Sequence, residues 1–182
     1  MSQLRMEKND LDNVPQIALP EGYLLRRFHS GDEAGLSRVY AASALGCETP
    51  GAVRERIVEH PCFRPERLLV ITQGASIVGT ACAWLDLSAP GVGYLHMLGT
   101  LAEHRGKRLG AALTVAAIAH TRNEGYLRQR LSTDDWREPA VRLYLDLGYY
   151  PLFCDDTHPG RWRTLARVLH RPDIIDRARD LR

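Results

Sequence analysis

Arg105, Lys107 and Arg108 crowd around Gly106 and Gly110 at the head of an alanine-rich apolar stretch, EHRGKRLGAALTVAAIAHTRNEGY, residues 103–126. These residue types suit a phosphate. The first turn of a helix leaves backbone N–H groups without partners and carries about half a positive charge, so anions settle there. Successive amides in a turn ahead of the helix form a concave nest for phosphate oxygens. Gly106, Gly110 and Ala111 are small enough to let a pyrophosphate approach the backbone, and arginine grips phosphate through two donors. The same residues also read as a basic turn on the surface of a buried helix. A dinucleotide fingerprint is excluded, because GxGxxG does not occur.

The elements that must hold this loop follow from local patterning. YLLRRF (Tyr23–Phe28) reads as a first strand. Ser30 with Glu33 spells a capping box ahead of a helix carrying Leu36, Val39 and Tyr40 on one face. Thr49-Pro50 opens a second helix, which Pro61 ends. Two apolar runs joined at Gln73-Gly74 predict a hairpin, and SAPG (Ser88–Gly91) turns the chain into a fourth strand, VGYLHMLGTL. A helix from Gly110 to Asn123 stops at Gly125. Leu127–Thr133 alternates as a fifth strand, and Glu138–Gly148 is helical with Ala140, Leu143, Tyr144 and Leu147 on one stripe. YYPLFC and part of RWRTLARVL are expected to complete the strands, and PDIIDRARDLR to form a charged terminal helix. The result is an α/β chain with a mixed sheet and helices on both faces.

Composition narrows the classes of function. The 182 residues, 45% hydrophobic, can bury a sizeable core. A polar, proline-broken extension over residues 1–20, loose or draped on the surface, and one domain over 21–182 are the expected organisation. A net charge of +2 and the absence of an aromatic-basic stacking surface argue against a nucleic-acid partner. Lys8 and Lys107 are the only lysines, so no polybasic tail invites a membrane. No apolar run approaches the ~18 residues that span a bilayer. Cys47, Cys62, Cys82 and Cys154 lie far apart without metal-ligand spacing, which suits free thiols in a reducing cytoplasm and no metal site.

With strand, RGKRLG and helix in that order, the chain resembles the GNAT superfamily of N-acetyltransferases, whose acetyl-coenzyme A loop reads (Gln/Arg)-x-x-Gly-x-(Gly/Ala). Arg105 takes the first position and Gly110 the last, while Arg108 stands where glycine is expected. A second signature agrees: AVRLYLDLGYYP resembles the family's Ala-x-x-Leu-Tyr-x-x-x-Gly-Phe helix, through Ala140, Leu143, Tyr144, Gly148 and Tyr149. The resemblance spans roughly residues 23–169, and it implies a mixed, mostly antiparallel central sheet splayed between the fourth and fifth strands. It also implies acetyl-CoA as co-substrate, seated on Arg105, Gly106, Lys107, Arg108, Leu109, Gly110 and Ala111. Arg108 has two readings, ordinary helical angles with the side chain turned outward, or contact with a phosphate.

The pantetheine arm is then expected to lie along the fourth strand. A bulge at Gly99 would let the Leu98 N–H polarise the thioester carbonyl, and backbone groups near Thr100 would pair with the arm. Gly99 equally reads as a close-packing residue. Tyr144 matches the tyrosine that protonates the departing thiolate in much of the superfamily, and its spacing also fits a core residue. His96, two residues before Leu98 and so on the same strand face, is a candidate base, as is Asp86. Asp134 and Asp135 could draw a cationic amine, although Asp135-x-x-Glu138 also spells a capping box. Cys82 and Cys154 read as small core residues.

The implied activity is N-acetyl transfer to a primary amine, on a small molecule or an amino terminus, by direct attack in a ternary complex. The alternative is a non-catalytic acyl-CoA sensor or interaction module of the same fold. Exposed sheet edges are compatible with a homodimer.

Overall fold

The computed structural model describes residues 2–181. Strand β1 (Leu4–Lys8) precedes β2 (Tyr23–Arg27), helix α1 (Glu33–Ala42) and helix α2 (Pro50–Val53). Then come β3 (Leu68–Gln73), β4 (Ser76–Leu85), β5 (Gly93–Thr100), α3 (Leu109–Asn123), β6 (Gln129–Thr133) and α4 (Glu138–Asp146). The chain finishes with β7 (Tyr150–Phe153), α5 (His158–Val168), α6 (Asp173–Asp176) and β8 (Arg179–Asp180). One sheet takes all eight strands in the order β2-β3-β4-β5-β6-β1-β7-β8. Among the described residues only β5/β6 and β7/β8 pair in parallel. The fourth and fifth strands expected from the sequence are therefore β5 and β6.

Alternation along the strands sends apolar side chains to two cores. On one face, α1 and the π-turn that follows α2 bury Leu36, Val39, Tyr40 and Ile57 against Val70, Cys82 and Trp84. On the other, Leu113 and Ile118 of α3, Tyr144 of α4 and Trp162 of α5 pack on Leu4, Met6, Ile71 and Leu131. Thr49 caps α2 as its type predicts, accepting from the Ala52 N–H at 3.2 Å, and the helix continues through a π-turn (Arg54–Val58) before Pro61. The capping residue of α1 is Asp32 rather than Ser30, and Glu33 reaches back to the Gly31 N–H at 2.8 Å. Among the described residues no helix is long and apolar enough to cross a membrane.

Three stretches depart from the sequence reading. Residues 158–168 are helical: Trp162, Leu165, Ala166 and Leu169 recur at three- and four-residue spacing and bury one face. The expected terminal helix reduces to Asp173–Asp176, after which Arg179–Asp180 pairs with β7. Most consequentially, Leu4–Lys8 is a strand inside the sheet, antiparallel to β6 on one side and β7 on the other. Leu4 and Met6 are fully buried. Glu7, 3% exposed, is satisfied by Arg130 Nε (2.7 Å) and the Tyr150 hydroxyl (2.6 Å), and Arg130 also reaches Asp86 at 3.4 Å. Its charge is thus compensated inside the sheet, as a buried carboxylate requires. Leu11, Val14, Ile17 and Leu19 then carry the chain over the second core toward β2.

Met6→Ala should therefore cost about 2–5 kcal/mol in denaturant unfolding, the range for truncating a buried core side chain. A change near zero would place residues 4–8 outside the fold.

Candidate functional site

The site is a gap in the sheet. β5 and β6 pair only at Gly93↔Gln129 and Tyr94↔Arg130, and beyond Tyr94 the two strands diverge. On its other side β5 pairs His96 with Cys82 and Gly99 with Thr80, so Met97 and Leu98 together face Ala81 alone. This is a β-bulge, and Met97 sits in the left-handed region at φ 53°. That conformation costs an L-residue about 1–2 kcal/mol, held here by packing of the Met97 side chain into the α1/α2 core.

The bulge inverts the alternation of β5. Leu95 faces the α3/α4 core, Met97 faces the α1/α2 core, and Leu98 returns to the α3/α4 side. His96 and Leu98 therefore stand on opposite faces, contrary to simple strand alternation. The bulge also lies two residues ahead of Gly99, the residue expected to host it. Gly99 is glycine for space: a Cβ there would lie 2.6 Å from Ser43 Oγ and 2.9 Å from Ser43 Cβ.

The divergence leaves a cleft of about 260 Å³. Tyr94, His96, Ser132, Ala44 and Leu45 line it toward α1, and Leu95, Leu98, Thr133, Ala140 and Tyr144 line it toward α4. The cleft thus connects the two faces of the sheet. Tyr144 is 6% exposed, and its hydroxyl makes no hydrogen bond to the described residues. Burial holds its pKa well above the usual tyrosine value, so it remains protonated at neutral pH.

The expected base and acids fare differently. His96 lines the cleft within a ring cluster, 5.8 Å from Trp84, which lies 5.1 Å from His60. Burial, helped by His60, pushes its pKa down to about 4, so it is neutral rather than poised near 6.5. Asp86 is not on the cleft wall and is held by Ser88 and Arg130. Asp134 does line the cleft, but accepts from Gln3 Nε2 (3.3 Å) and Arg137 Nε (3.1 Å). Asp135 is gripped by Arg161, which draws its pKa down and keeps it from capping α4, whose N-cap is Arg137. All three carboxylates are thus neutralised by arginine.

Sequence patterning missed Arg137. Its Nη1 and Nη2 donate to the Ser43 and Ala44 carbonyls at 3.0 and 2.8 Å, joining the start of α4 to the end of α1 across the cleft mouth. Its guanidinium stacks 4.1 Å from the centre of the Trp136 ring. No local motif marks such a link, because its acceptors are main-chain carbonyls some ninety positions away.

Below the cleft, the chain turns from β5 into α3 through the basic loop. Gly106 (φ 77°) and Arg108 (φ 61°) are both left-handed, and no side chain caps α3. Arg108 thus holds a glycine-like conformation, and the expectation of ordinary helical angles fails. No atom lies within 4 Å of a Cβ placed on Gly106, and only Leu143 Cδ2, at 3.6 Å, on Gly110. The loop backbone is open. Lys107 does not face it: its amine donates to the Tyr23 hydroxyl at 2.6 Å. The guanidinium groups of Arg105 and Arg108 are exposed and make no hydrogen bond or ion pair to the described residues. An uncapped helix mouth behind a left-handed turn, flanked by two free guanidinium groups, suits an anion of phosphate type.

Residues 36–149 match the acetyltransferase (GNAT) family. A mycothiol acetyltransferase of Thermobispora bispora is 32% identical over 154 residues, covering 80% of this chain and 52% of that protein. A mycothiol acetyltransferase of Pseudarthrobacter chlorophenolicus is 33% identical over 158 residues, covering 81% and 48%. Among solved structures, a GCN5-related N-acetyltransferase from Sphaerobacter thermophilus aligns with a TM-score of 0.68 at 26% identity, covering 81% of this chain and 47% of that one. The chain spans about half the length of these relatives.

The cleft makes a prediction about titration. His96 has a folded pKa of about 4, below the unfolded value near 6.5. The unfolded chain then binds more protons between these values, so the contribution of His96 to stability is complete above pH 6.5 and is lost as pH falls toward 4. Imidazole resonances should show His96 neutral at pH 5.5. A midpoint between 6 and 7 would contradict its burial.

Proposed function

This chain belongs to the GNAT acetyltransferase family, and from that premise we propose that it moves the acetyl group of acetyl-CoA to a primary amine by direct attack in a ternary complex. The observation that carries the reading is the continuity of two features. The edge of β5 left unpaired by the splay, Leu95 to Thr100, is joined through residues 101–108, with a 3-10 turn at Ala102–His104, to the uncapped mouth of α3. A ligand with an amide-bearing arm and a pyrophosphate fits that path. The open backbone at Gly106 and Gly110 is the cradle for the phosphates, with Leu109 and Ala111 amides aimed outward and Arg105 and Arg108 flanking.

Acetyl-CoA supplies an activated thioester. The residues of this chain hold it and manage protons. Leu98, Gly99 and Thr100 offer backbone groups to the arm, and the Leu98 amide polarises the carbonyl under attack. As the amine nitrogen bonds to the acetyl carbon and the carbon–sulfur bond breaks, the Tyr144 hydroxyl gives its proton to the departing sulfur. The proton lost by the amine passes to solvent on the His96 side of the cleft, His96 itself staying neutral, and solvent returns a proton to Tyr144 before the next turnover. With Asp86, Asp134 and Asp135 paired to arginines, none is free to act as a strong base or to attract a cation. The acceptor is accordingly bound as a neutral amine, held by position rather than by a carboxylate.

Thiol release from acetyl-CoA across polyamines, amino acids, aminoglycosides, short peptides and a mycothiol-related amine should identify a substrate. The last belongs in the panel because of the names of the two relatives. Silence throughout, with acetyl-CoA binding intact, would favour a non-catalytic acyl-CoA sensor. Gly110→Glu, which puts bulk and negative charge at the helix mouth, should abolish calorimetric binding of acetyl-CoA in a folded protein. Tyr144→Phe should lower kcat by about 10²-fold while affinity for acetyl-CoA holds. Full turnover by Tyr144→Phe would return the proton to solvent.

A further inference from the structure

On the α1 side of the sheet the apolar core ends at β5: among the described residues, none from β6, β1 or β7 enters it. Charge fills that uncovered stretch instead. Arg130 and Arg128 reach Glu7 at 2.7 and 3.9 Å, Arg130 also meets Asp86 at 3.4 Å, and Tyr150 donates to Glu7. The Arg179 guanidinium lies 4.6 Å from the centre of the Tyr150 ring. These contacts put all of these side chains on one face, and strand alternation adds Arg5, two residues before Glu7. Four arginines thus share the face with two carboxylates, and Arg130 already engages both carboxylates. Asp155 and Asp180 lie near Cys154, at the outer edge beyond β1.

Arg5 is the member of this group that stands beside the cleft. It pairs with Ser132, a residue of the cleft wall, and Gln3, two positions earlier, lines the cleft and bonds Asp134. Ser132 in turn is level with His96, because Arg130 pairs with Tyr94 two residues before each. One strand spacing, about 5 Å, separates the strand of Arg5 from that wall. Burial raises the pKa of Tyr94, and Ser132 and Arg5, both close enough to act on its hydroxyl, pull the other way. Arg5 is exposed, and its guanidinium makes no hydrogen bond or ion pair to the described residues.

We propose that Arg5 sets acceptor specificity, and that the acceptor is an amine carrying an anionic group, a carboxylate or a phosphate, at its far end. This rests on the acetyl-transfer reading above. With the donor's phosphates at the α3 mouth, the acceptor takes the opening on the α1 side, past Tyr94, His96 and Ser132. The carboxylates nearest that opening, Asp86 and Asp134, are paired with Arg130 and Arg137 and do not hold a cationic amine. Attraction comes instead from the other end of the molecule. An exposed guanidinium offers two parallel donors to a carboxylate or phosphate, and the surplus of arginines behind it keeps the local potential positive. The same potential favours the neutral form of the incoming amine, which is the form that attacks. Arg5 touches neither the amine nor the thioester and moves no proton.

Thiol release from acetyl-CoA across amines of matched length tests this. The set is butylamine and hexylamine, γ-aminobutyrate and ε-aminocaproate, the ω-aminoalkyl phosphates of the same lengths, and the corresponding diamines. The anionic amines should exceed the alkylamines in kcat/KM by about tenfold, the scale of one charge-assisted hydrogen bond, with the diamines poorest. The carboxylate and phosphate arms show which anion the site takes. Arg5→Gln should remove the preference through KM, Arg5→Lys should keep part of it, and added salt should erode it in the parent. Equal turnover of the alkylamines and their anionic counterparts would overturn the proposal. So would a preference that survives Arg5→Gln, or a loss in that variant spread evenly over all the amines through kcat. Turnover of no amine would count against the acetyl-transfer reading instead, and the Arg5 Nε–H resonance, assigned with Arg5→Lys, then tests the anion site alone. A shift on adding ε-aminocaproate but not hexylamine would support that site, and no shift would remove it.

Discussion

A strand paired along both edges leaves no room for a ligand beside it, so a cleft inside a sheet has to be forced open. Here the open stretch of β5 carries one strained residue. Met97 occupies the left-handed region, adds a position to β5 against Ala81, and reverses which face each following side chain meets. After Tyr94, β5 and β6 no longer hydrogen-bond. The strain of about 1–2 kcal/mol is small beside the burial of the Met97 side chain among Leu36, Val70 and Trp84, which fixes it. This departure gives the gap its two differently furnished walls, beside the run of unpaired β5 backbone that leads toward α3.

An opened sheet also needs its far half secured. That task falls to β1, clasped between β6 and β7, and to the buried Glu7–Arg130–Asp86 chain with Tyr150 bonded to Glu7. The link runs under the closed end of the splay, where Arg130 is still paired with Tyr94. At the open end Arg137 ties the start of α4 to Ser43 and Ala44. Two arginines thus bracket the cleft, one at its apex and one at its mouth. Both consume carboxylates that would otherwise have set a negative field for the acceptor.

Much of this was legible in the sequence, and what was not has physical reasons. The α3 mouth and the α4 stripe could be read because helix periodicity, glycine stops and the two GNAT signatures are local. β1 could not: LRMEK holds three charges in five residues, and only the tertiary pairing of Glu7 with Arg130 and Tyr150 makes such a segment internal. The sequence points to a bulge in this strand at Gly99, the residue with freedom to bend. The fold placed it on Met97, using packing to hold a conformation that composition does not mark, and used Gly99 to admit Ser43 instead. In RWRTLARVL the spacing of Trp162, Leu165, Ala166 and Leu169 is that of a helix, and the expected strand gives way to it. The ion pairs of Asp86 with Arg130 and of Asp135 with Arg161 join distant elements, and such a pair leaves no trace in either one's local sequence.

The central claim is that one continuous path, from the bulge along β5 to the α3 mouth, seats the acyl donor. Amide hydrogen exchange with and without acetyl-CoA tests it most directly. The account predicts slowed exchange at Leu98–Thr100 and at Gly106–Ala111 together, with the α5–α6 surface unchanged. Protection confined to the helix mouth, or appearing only away from β5, would contradict it.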